Sequence, residues 1–414
     1  MSSHEQTFII VGAALAGAKA AEQLREEGFD GRVLLFGSEA ARPYERPPLT
    51  KDYLRGESQR ENAYVHEEAF YADQRIELET NATVTAIDPG SSRVTIADGR
   101  ELPYDRLLLA TGAEPRRLTV TGAEFDGVHY LRTFADCDAL RSRLETGGRM
   151  VVVGGGWIGS EFAASARQRG LEVTVLDPQP LPLERLFGAE VAAFYRDVHR
   201  DHGVELLLGE GVEAFEGERQ LTGVRTGGGR VIECDFAVVG IGVAPRTQLA
   251  EQAGLATEDG VLVDASLASS DPRIYAAGDV ANAEHPFYGE RIRVEHWANA
   301  LNQGPVAAQA MLGQAVRYDR LPYFFSDQYD VGMEYSGYAP AWDEVVFRGD
   351  PAGGEFMAFW LRDGRVAAGM NVNVWDVNED VQALIRSRRS VDAAALRDAD
   401  TPLDSLLDKS TAGS

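Results

Sequence analysis

Two groups of residues have the types and spacing to hold a dinucleotide. In "MVVVGGGWIGSE" (150–161), Gly154, Gly156 and Gly159 form G-x-G-x-x-G between a strand-like and a helix-like run. In such a turn the first glycine allows a tight bend, the second lets a pyrophosphate reach the backbone, and the third lets helix and strand pack closely. Asp177 ends the next strand-like run, where a carboxylate can accept hydrogen bonds from both ribose hydroxyls of an adenosine. Its charge would repel a 2′-phosphate, and no arginine follows at once, Arg185 lying farther on, so NADH is expected over NADPH. The other group, "FIIVGAALAG" (7–16), carries Gly12 and then Gly17, but Ala14 stands at the middle position. Alanine is compatible there if φ stays negative. Glu39, or Ser38 beside it, is the matching ribose acceptor. Two dinucleotide sites in one chain imply a relay between a resident redox cofactor and an exchanging one.

Such turns must be aimed by βαβ units. "TFIIV", "LAGAKAAEQLREEG" and "GRVLLFG" read as strand, helix and strand, as do "RMVVVG", "GSEFAASARQRG" and "LEVTVLD". The helix returns the chain to the same edge, so the strands of each unit are parallel. Between the units lie "ATVTAID", "RVTIADG" and "RLLLATG", bounded by turn residues. After the second come "DFAVVGIGVAP" and "RIYAAGDV". From about Leu321 the texture changes to aromatic, antiparallel-looking strands, "YFFSDQY", "EVVFRGD", "FMAFWL" and "RVAAGMNV", then a helix near 377 to 388. The fold class expected is α/β, with two Rossmann-like dinucleotide-binding domains and a C-terminal α+β domain.

With 414 residues the chain needs two or three cores, and 44% hydrophobic with 25% charged residues is ordinary globular composition. A net charge of −25 disfavours nucleic acid and anionic membrane surfaces as partners. Lysine occurs only at 19, 51 and 409, which makes Lys51 conspicuous. Cys137 and Cys234 stand apart without a CxxC or a Cys/His cluster, so neither a redox dithiol nor a metal site is expected. The polar start "MSSHEQTF" lacks signal-peptide regions and no apolar run is long enough to span a bilayer, so a cytoplasmic protein is expected.

The runs "RPYERPPLTKDYL" (42–54), "LLLATGAEPR" (107–116), "GGGWIGSE", "IYAAGDV" (274–280), "RVEHWANALNQG" (293–304) and "PYFFSDQYD" (322–330) occur in order over nearly the whole chain. Together they resemble the FAD-dependent ferredoxin reductases of oxygenase systems, in the pyridine nucleotide-disulfide oxidoreductase superfamily but without the redox disulfide. The resemblance implies a split FAD domain (1–113 and 241–321), an inserted NAD domain (114–240), a C-terminal interface domain (322–405) and a tail (406–414). It assigns Gly12, Ala14, Leu15, Ser38 and Glu39 to the adenosine and pyrophosphate of FAD, with Arg42 nearby. Pro47 and Lys51 would lie against the flavin, and Phe325 would cover it. Val84, Ala110, Thr111, Gly112, Arg132 and Trp297 would line FAD, and Gly278 and Asp279 would meet its ribityl chain. The NAD set implied is Gly154, Gly156, Trp157, Ile158, Gly159, Glu161, Asp177, Arg185, Gly240, Ile241 and Gly242. Glu295 belongs at the nicotinamide end, with His296 a lining neighbour.

Lys51 and Glu161 would be the catalytic pair, the ammonium stabilising an anionic reduced flavin. The reaction implied is hydride transfer from NADH to flavin N5, then two single-electron transfers to a small iron–sulfur ferredoxin feeding a cytochrome P450 or ring-hydroxylating oxygenase. The alternatives are an NADH oxidase or quinone reductase, and an NADH-sensing flavoprotein like the more distant apoptosis-inducing-factor type. Arg386, Arg388 and Arg389 in "IRSRRS" form a basic cluster, read either as an exposed helix end or as a docking patch for an acidic ferredoxin. His199 and His202, three apart and without a carboxylate set, read as a solvated helix face.

Overall fold

The computed structural model describes residues 5–408. Along the chain run β1 (Thr7–Val11), α1 (Leu15–Glu26), β2 (Arg32–Phe36), β3 (Ile76–Glu79), β4 (Arg106–Leu109), β5 (Val128–Tyr130) and β6 (Arg149–Val153). They are followed by α2 (Trp157–Gln168), β7 (Glu172–Asp177), α3 (Ala189–Asp201), β8 (Glu205–Leu208), β9 (Phe236–Val239), β10 (Ile274–Ala276) and α4 (Trp297–Met311). The last part holds β11 (Tyr323–Gln328), β12 (Val331–Gly337), β13 (Glu344–Asp350), β14 (Glu355–Arg362), β15 (Arg365–Val372) and α5 (Asn378–Ser387).

The chain divides into two compact units. One runs up to Pro48 and then over Gln59–Glu114 and Val243–Arg320; the other holds Leu49–Ser58, Pro115–Gly242 and the chain from Leu321 on. The ten residues around Lys51 therefore fold with the second unit.

In the first unit a parallel sheet has the order β10-β4-β1-β2-β3. β1 and β2 are buried along almost their whole length, so they read as continuous apolar runs without alternation. α1 presses closely on α4: a Cβ on Gly304 would lie 2.3 Å from the Ala16 carbonyl oxygen. In the second unit another parallel sheet has the order β8-β7-β6-β9-β5. A five-stranded antiparallel sheet, β11-β12-β15-β14-β13, follows in the same unit. Its core holds Trp360, fully buried, with its indole N–H donating to the Phe187 carbonyl at 2.9 Å. Burying a side chain of that size contributes about 3 kcal/mol. β12 is the strand that composition did not reveal, because "VGMEYSG" mixes glycine and a glutamate into its run.

Of the tail, Ser405–Asp408 forms a helical turn, and 409–414 lie outside the described residues. Among the described residues no helix is long and apolar enough to cross a membrane.

Candidate functional site

Parallel registers bring the residues that follow β1, β2, β4 and β10 to one edge of the first sheet. Gly12, Ser38, Ala110 and Ala277 share that carboxyl edge, where α/β sheets bind ligands. On the second sheet the same rule collects Gly154, Asp177, Gly240 and the chain after Tyr130.

The two glycine turns have nearly the same construction. Gly12 (φ 120°) and Gly154 (φ 105°) occupy backbone conformations that disfavour side chains. A Cβ on Gly12 would lie 2.0 Å from the Ala110 carbonyl oxygen, and one on Gly154 2.5 Å from that of Gly240. Gly17 and Gly159 sit against the carbonyls of Gly12 and Gly154, where a Cβ would come within 2.0 Å and 1.9 Å. The middle residues differ in kind. Ala14 (φ −112°) and Gly156 (φ −78°) both have negative φ, so alanine at 14 is unstrained. A Cβ on Gly156 would meet nothing within 4 Å. Neither backbone strain nor packing requires glycine there; glycine is preferred over alanine at a helix N-cap, and the open space suits close approach of a ligand.

Helix ends carry the same message. The helix Phe134–Thr146 is closed by its own capping box, Thr133 and Asp136. α1 and α2 have no side-chain cap and no acid in the first turn. Their N-terminal amides and positive dipole ends are thus unclaimed by side chains, which suits a pyrophosphate. The residues present fit a dinucleotide pyrophosphate at both turns.

Other assigned residues of the first unit are placed as follows. Glu39 accepts from the Tyr44 hydroxyl at 2.5 Å and pairs with Arg46 at 3.3 Å, so Tyr44 and Arg46 orient it. Ser38 is exposed. Arg42 lies over the Tyr64 ring, 3.5 Å from its centroid, and donates to the His66 carbonyl. Pro47 begins a helical turn, and Val84 is buried on a strand edge opposite Ile96. Leu15 is buried, and the Thr111 hydroxyl donates to the Arg246 carbonyl beside Gly112. Gly278 (φ 79°) donates its amide to buried Gln303 and presents Asp279 in a short 3-10 turn. Glu295 pairs with Arg293, and His296 and Trp297 open α4. Burial pushes His296 down to about 4, with Asp279 opposing.

In the second unit Lys51 and Glu161 meet. Lys51 Nζ lies 3.1 Å from Glu161 Oε1, both residues only 8% exposed. Glu161 also accepts from the Thr50 hydroxyl at 2.5 Å and the Ser326 hydroxyl at 2.7 Å. The Lys51 ammonium lies 4.9 Å from the Phe325 ring centroid. Ser165, one turn along α2, donates to the Thr50 carbonyl and ties the Lys51 segment to the helix. A buried carboxylate with three donors is fully satisfied, and this is the geometry in which a buried ion pair is held rather than merely tolerated.

Some assignments take on a different character. Asp177 is 8% exposed and spends oxygens on the amides of Gly155 (2.5 Å) and Gln179 (2.7 Å), so it braces the glycine turn as well as ending β7. Trp157 packs edge-on against Phe324 and Phe187, at 5.0 and 5.2 Å, so its ring belongs to an aromatic core. Arg185 is exposed on a short helix. Ile158 is half-buried in the first turn of α2. Gly240, Ile241 and Gly242 (φ 96°) follow β9, and Arg132 gives its amide to Asp136.

Residues 6–304 match the family model "Pyridine nucleotide-disulphide oxidoreductase", and 323–407 match "Reductase C-terminal". The chain belongs to the pyridine nucleotide-disulphide oxidoreductase family. It is 42% identical over 401 residues to the 5,5′-dehydrodivanillate O-demethylase ferredoxin reductase subunit of Sphingobium sp., covering 96% of this chain and 97% of that one. It is 40% identical to the anthranilate 1,2-dioxygenase system ferredoxin–NAD(+) reductase component of Burkholderia cepacia, covering 94% and 95%. Among solved structures it superposes on the covalent putidaredoxin reductase–putidaredoxin complex with a TM-score of 0.94 at 35% identity, covering 99% of this chain and 100% of that chain.

Despite the family's name, this oxidoreductase keeps Cys137 and Cys234 as separate free thiols, and burial pushes each up to about 12. Protonated, buried thiols are poor nucleophiles.

One expectation fails in the same unit. His199 is not on a solvated face but 1% exposed. It extends the buried stripe Val191, Ala192, Tyr195 of α3 at helical spacing, whereas His202 caps the helix outside it. Gln328, Thr50 and Ser326 escaped the sequence reading as functional residues, and His199 entered it only as a surface residue. The available signal was polar Ser326 and Gln328 alternating on one face of an aromatic strand.

Burial lowers the His199 imidazole to about 4. The unfolded chain takes up its proton near the ordinary value of about 6.5, so between those values the unfolded state binds more protons. Stability is therefore complete above about pH 6.5 and falls as pH drops toward 4. Thermal unfolding followed across that range should show the loss, and His199→Gln should remove the His199 share of it, leaving that of His296, which burial lowers likewise. An equal slope in the variant would show that another group is responsible.

Proposed function

We propose that this chain is an NADH-dependent flavoprotein reductase that passes electrons to a small iron–sulfur ferredoxin, which in turn feeds a cytochrome P450 or a ring-hydroxylating oxygenase. The observation that carries the NADH half is Gly156, a glycine at the uncapped start of α2 that faces open space where a pyrophosphate can reach the backbone. Gly12, Ala14, Leu15, Ser38, Glu39, Asp279 and their assigned neighbours hold FAD in this reading, and Gly154, Gly156, Gly159 and Asp177 hold NADH. FAD, when bound, supplies the conversion between two-electron delivery by NADH and one-electron uptake by an iron–sulfur protein.

The protein's own contribution is positional and electrostatic. Thr50, Ser326 and Lys51 fix the Glu161 carboxylate, and Glu161 in turn holds the Lys51 ammonium, a compact charge suited to steadying negative charge on a reduced ring. The uncapped ends of α1 and α2 bind phosphate, and the Asp177 charge disfavours a 2′-phosphate. A cytoplasmic location belongs to the same proposal, because NADH is available there.

The purified protein should be yellow with FAD, bleach on mixing with NADH, and recolour fast with a ferredoxin but slowly with oxygen or a quinone. Equally fast recolouring by oxygen would support an oxidase instead. Exposed Arg386, Arg388 and Arg389 end α5 and continue past it, in a chain of net charge −25. Neutralising all three should lower the ferredoxin rate several-fold at low salt and leave ferricyanide reduction unchanged. Equal ferredoxin rates would remove the docking role.

A further inference from the structure

A buried chain of hydrogen bonds in the second unit ends on Glu161. Ser326 Oγ donates to Glu161 Oε1 at 2.7 Å, and Gln328 Nε2 lies 3.3 Å from Ser326 Oγ. Gln328 Oε1 is 3.0 Å from His199 Nε2, and His199 Nδ1 is 3.2 Å from the Tyr329 hydroxyl. Ser326, Gln328 and His199 are each 1% exposed, so no water shares their bonding capacity at the surface.

Elementary donor counting gives this chain one direction. A carboxylate paired with Lys51 can only accept, so the single hydroxyl proton of Ser326 must point at Glu161. Its oxygen is then free only to accept, and Gln328 must present its amide N–H₂. That orientation turns Gln328 Oε1 toward His199, so His199 must carry its proton on Nε2. His199 Nδ1 is then an acceptor, filled by the Tyr329 hydroxyl. Every donor points toward Glu161, an arrangement in which successive bonds polarise one another.

The start of the chain is itself strained into place. Tyr329 occupies the tight link between β11 and β12, where Gln328 pairs with Val331, and it has φ 59°. Bulky residues are rare at positive φ and are kept there only by surrounding contacts. Here the contacts are the His199 bond and a stack on His202, with centroids 3.6 Å apart and planes 9° apart.

We infer that Tyr329, His199 and Gln328 are positioning residues of the Lys51–Glu161 pair, forming a one-way donor chain that commits the Ser326 proton to Glu161 and prevents its carboxylate from rotating. The consequence for NADH rests on the function proposed above; the direction of the chain rests on geometry alone.

The test uses the FAD-loaded protein labelled with 15N-histidine. At neutral pH the His199 signal, assigned by its disappearance in His199→Gln, should be that of the neutral Nε2–H tautomer, and Gln328→Leu should shift that tautomer balance. In stopped flow, His199→Leu and Gln328→Leu should slow flavin reduction at saturating NADH roughly tenfold, one hydrogen bond's worth, with KM for NADH changed less than twofold. His199→Gln, which keeps a donor near the Nε2 position, should restore most of the rate. A neutral Nδ1–H tautomer, wild-type rates in both leucine variants, or a His199→Gln rate as low as that of His199→Leu would each overturn the inference. Wild-type protein that NADH fails to reduce would instead overturn the proposed function, and the tautomer would still be read from the same sample.

Discussion

Replacing Lys51 by methionine should cost about 3–5 kcal/mol of stability, the loss typical when one partner of a buried ion pair is removed and the other charge is left behind. Glu161 would keep the Thr50 and Ser326 hydroxyls but lose its counter-charge at 3.1 Å. Reduction of the flavin by NADH should slow by roughly two orders of magnitude, the usual effect of deleting one preorganised electrostatic group. A double variant separates the two effects. Lys51→Met with Glu161→Gln removes both charges and leaves hydrogen-bonding atoms for the hydroxyls, so most of the stability should return while the slow reduction persists. Chemical denaturation and stopped flow on the three proteins decide it; a double variant as unstable as Lys51→Met would mean that the pair's charge coupling is not what stability depends on.

The same substitution placed three residues apart in one turn should have opposite outcomes. In Gly159→Ala the new Cβ meets the Gly154 carbonyl oxygen at 1.9 Å and no flexible side chain can yield. Overpacking against backbone costs about 3 kcal/mol or more, which exceeds the roughly 1 kcal/mol that alanine gains over glycine within a helix. The thermal midpoint should drop by about 10 °C, and an unchanged midpoint would contradict the packing of α2 on β6. Gly156→Ala meets open space, so stability should move by no more than about 1 kcal/mol. KM for NADH should rise roughly tenfold in that variant while FAD is retained, since a methyl would keep the pyrophosphate from the backbone. Unaltered NADH kinetics would remove the ligand role of Gly156.

What could be read from the sequence was local. Gly154, Gly156, Gly159 and Asp177 lie within one βαβ unit, so spacing alone displays them, and the negative φ at Ala14 is the condition under which alanine was acceptable. Thr50, Ser326 and His199 were not legible as a set. They join Glu161 across 111 and 165 residues and, through Gln328, across a further 129, separations set by tertiary packing rather than by a pattern of spacing. Asp177 was visible as a ligand acceptor, but its bonds to the amides of Gly155 and Gln179 depend on a turn geometry that no residue type announces. Trp157 carried the same ambiguity, since a tryptophan inside a glycine motif looks the same whether it faces a ligand or a core.

That tryptophan has a consequence for how such proteins diversify. Its ring opens α2 immediately after Gly156 and is walled by Phe324 of β11, in the C-terminal sheet. The C-terminal sheet is therefore not a detachable cassette. A lineage, or an engineer, that exchanged it wholesale to recruit a new acceptor would remove one wall of the box that seats the first turn of α2. Changes of acceptor should instead accumulate on β13, at the opposite edge of the sheet, and on α5, with the face of β11 that carries Phe324 inherited together with the glycine turn.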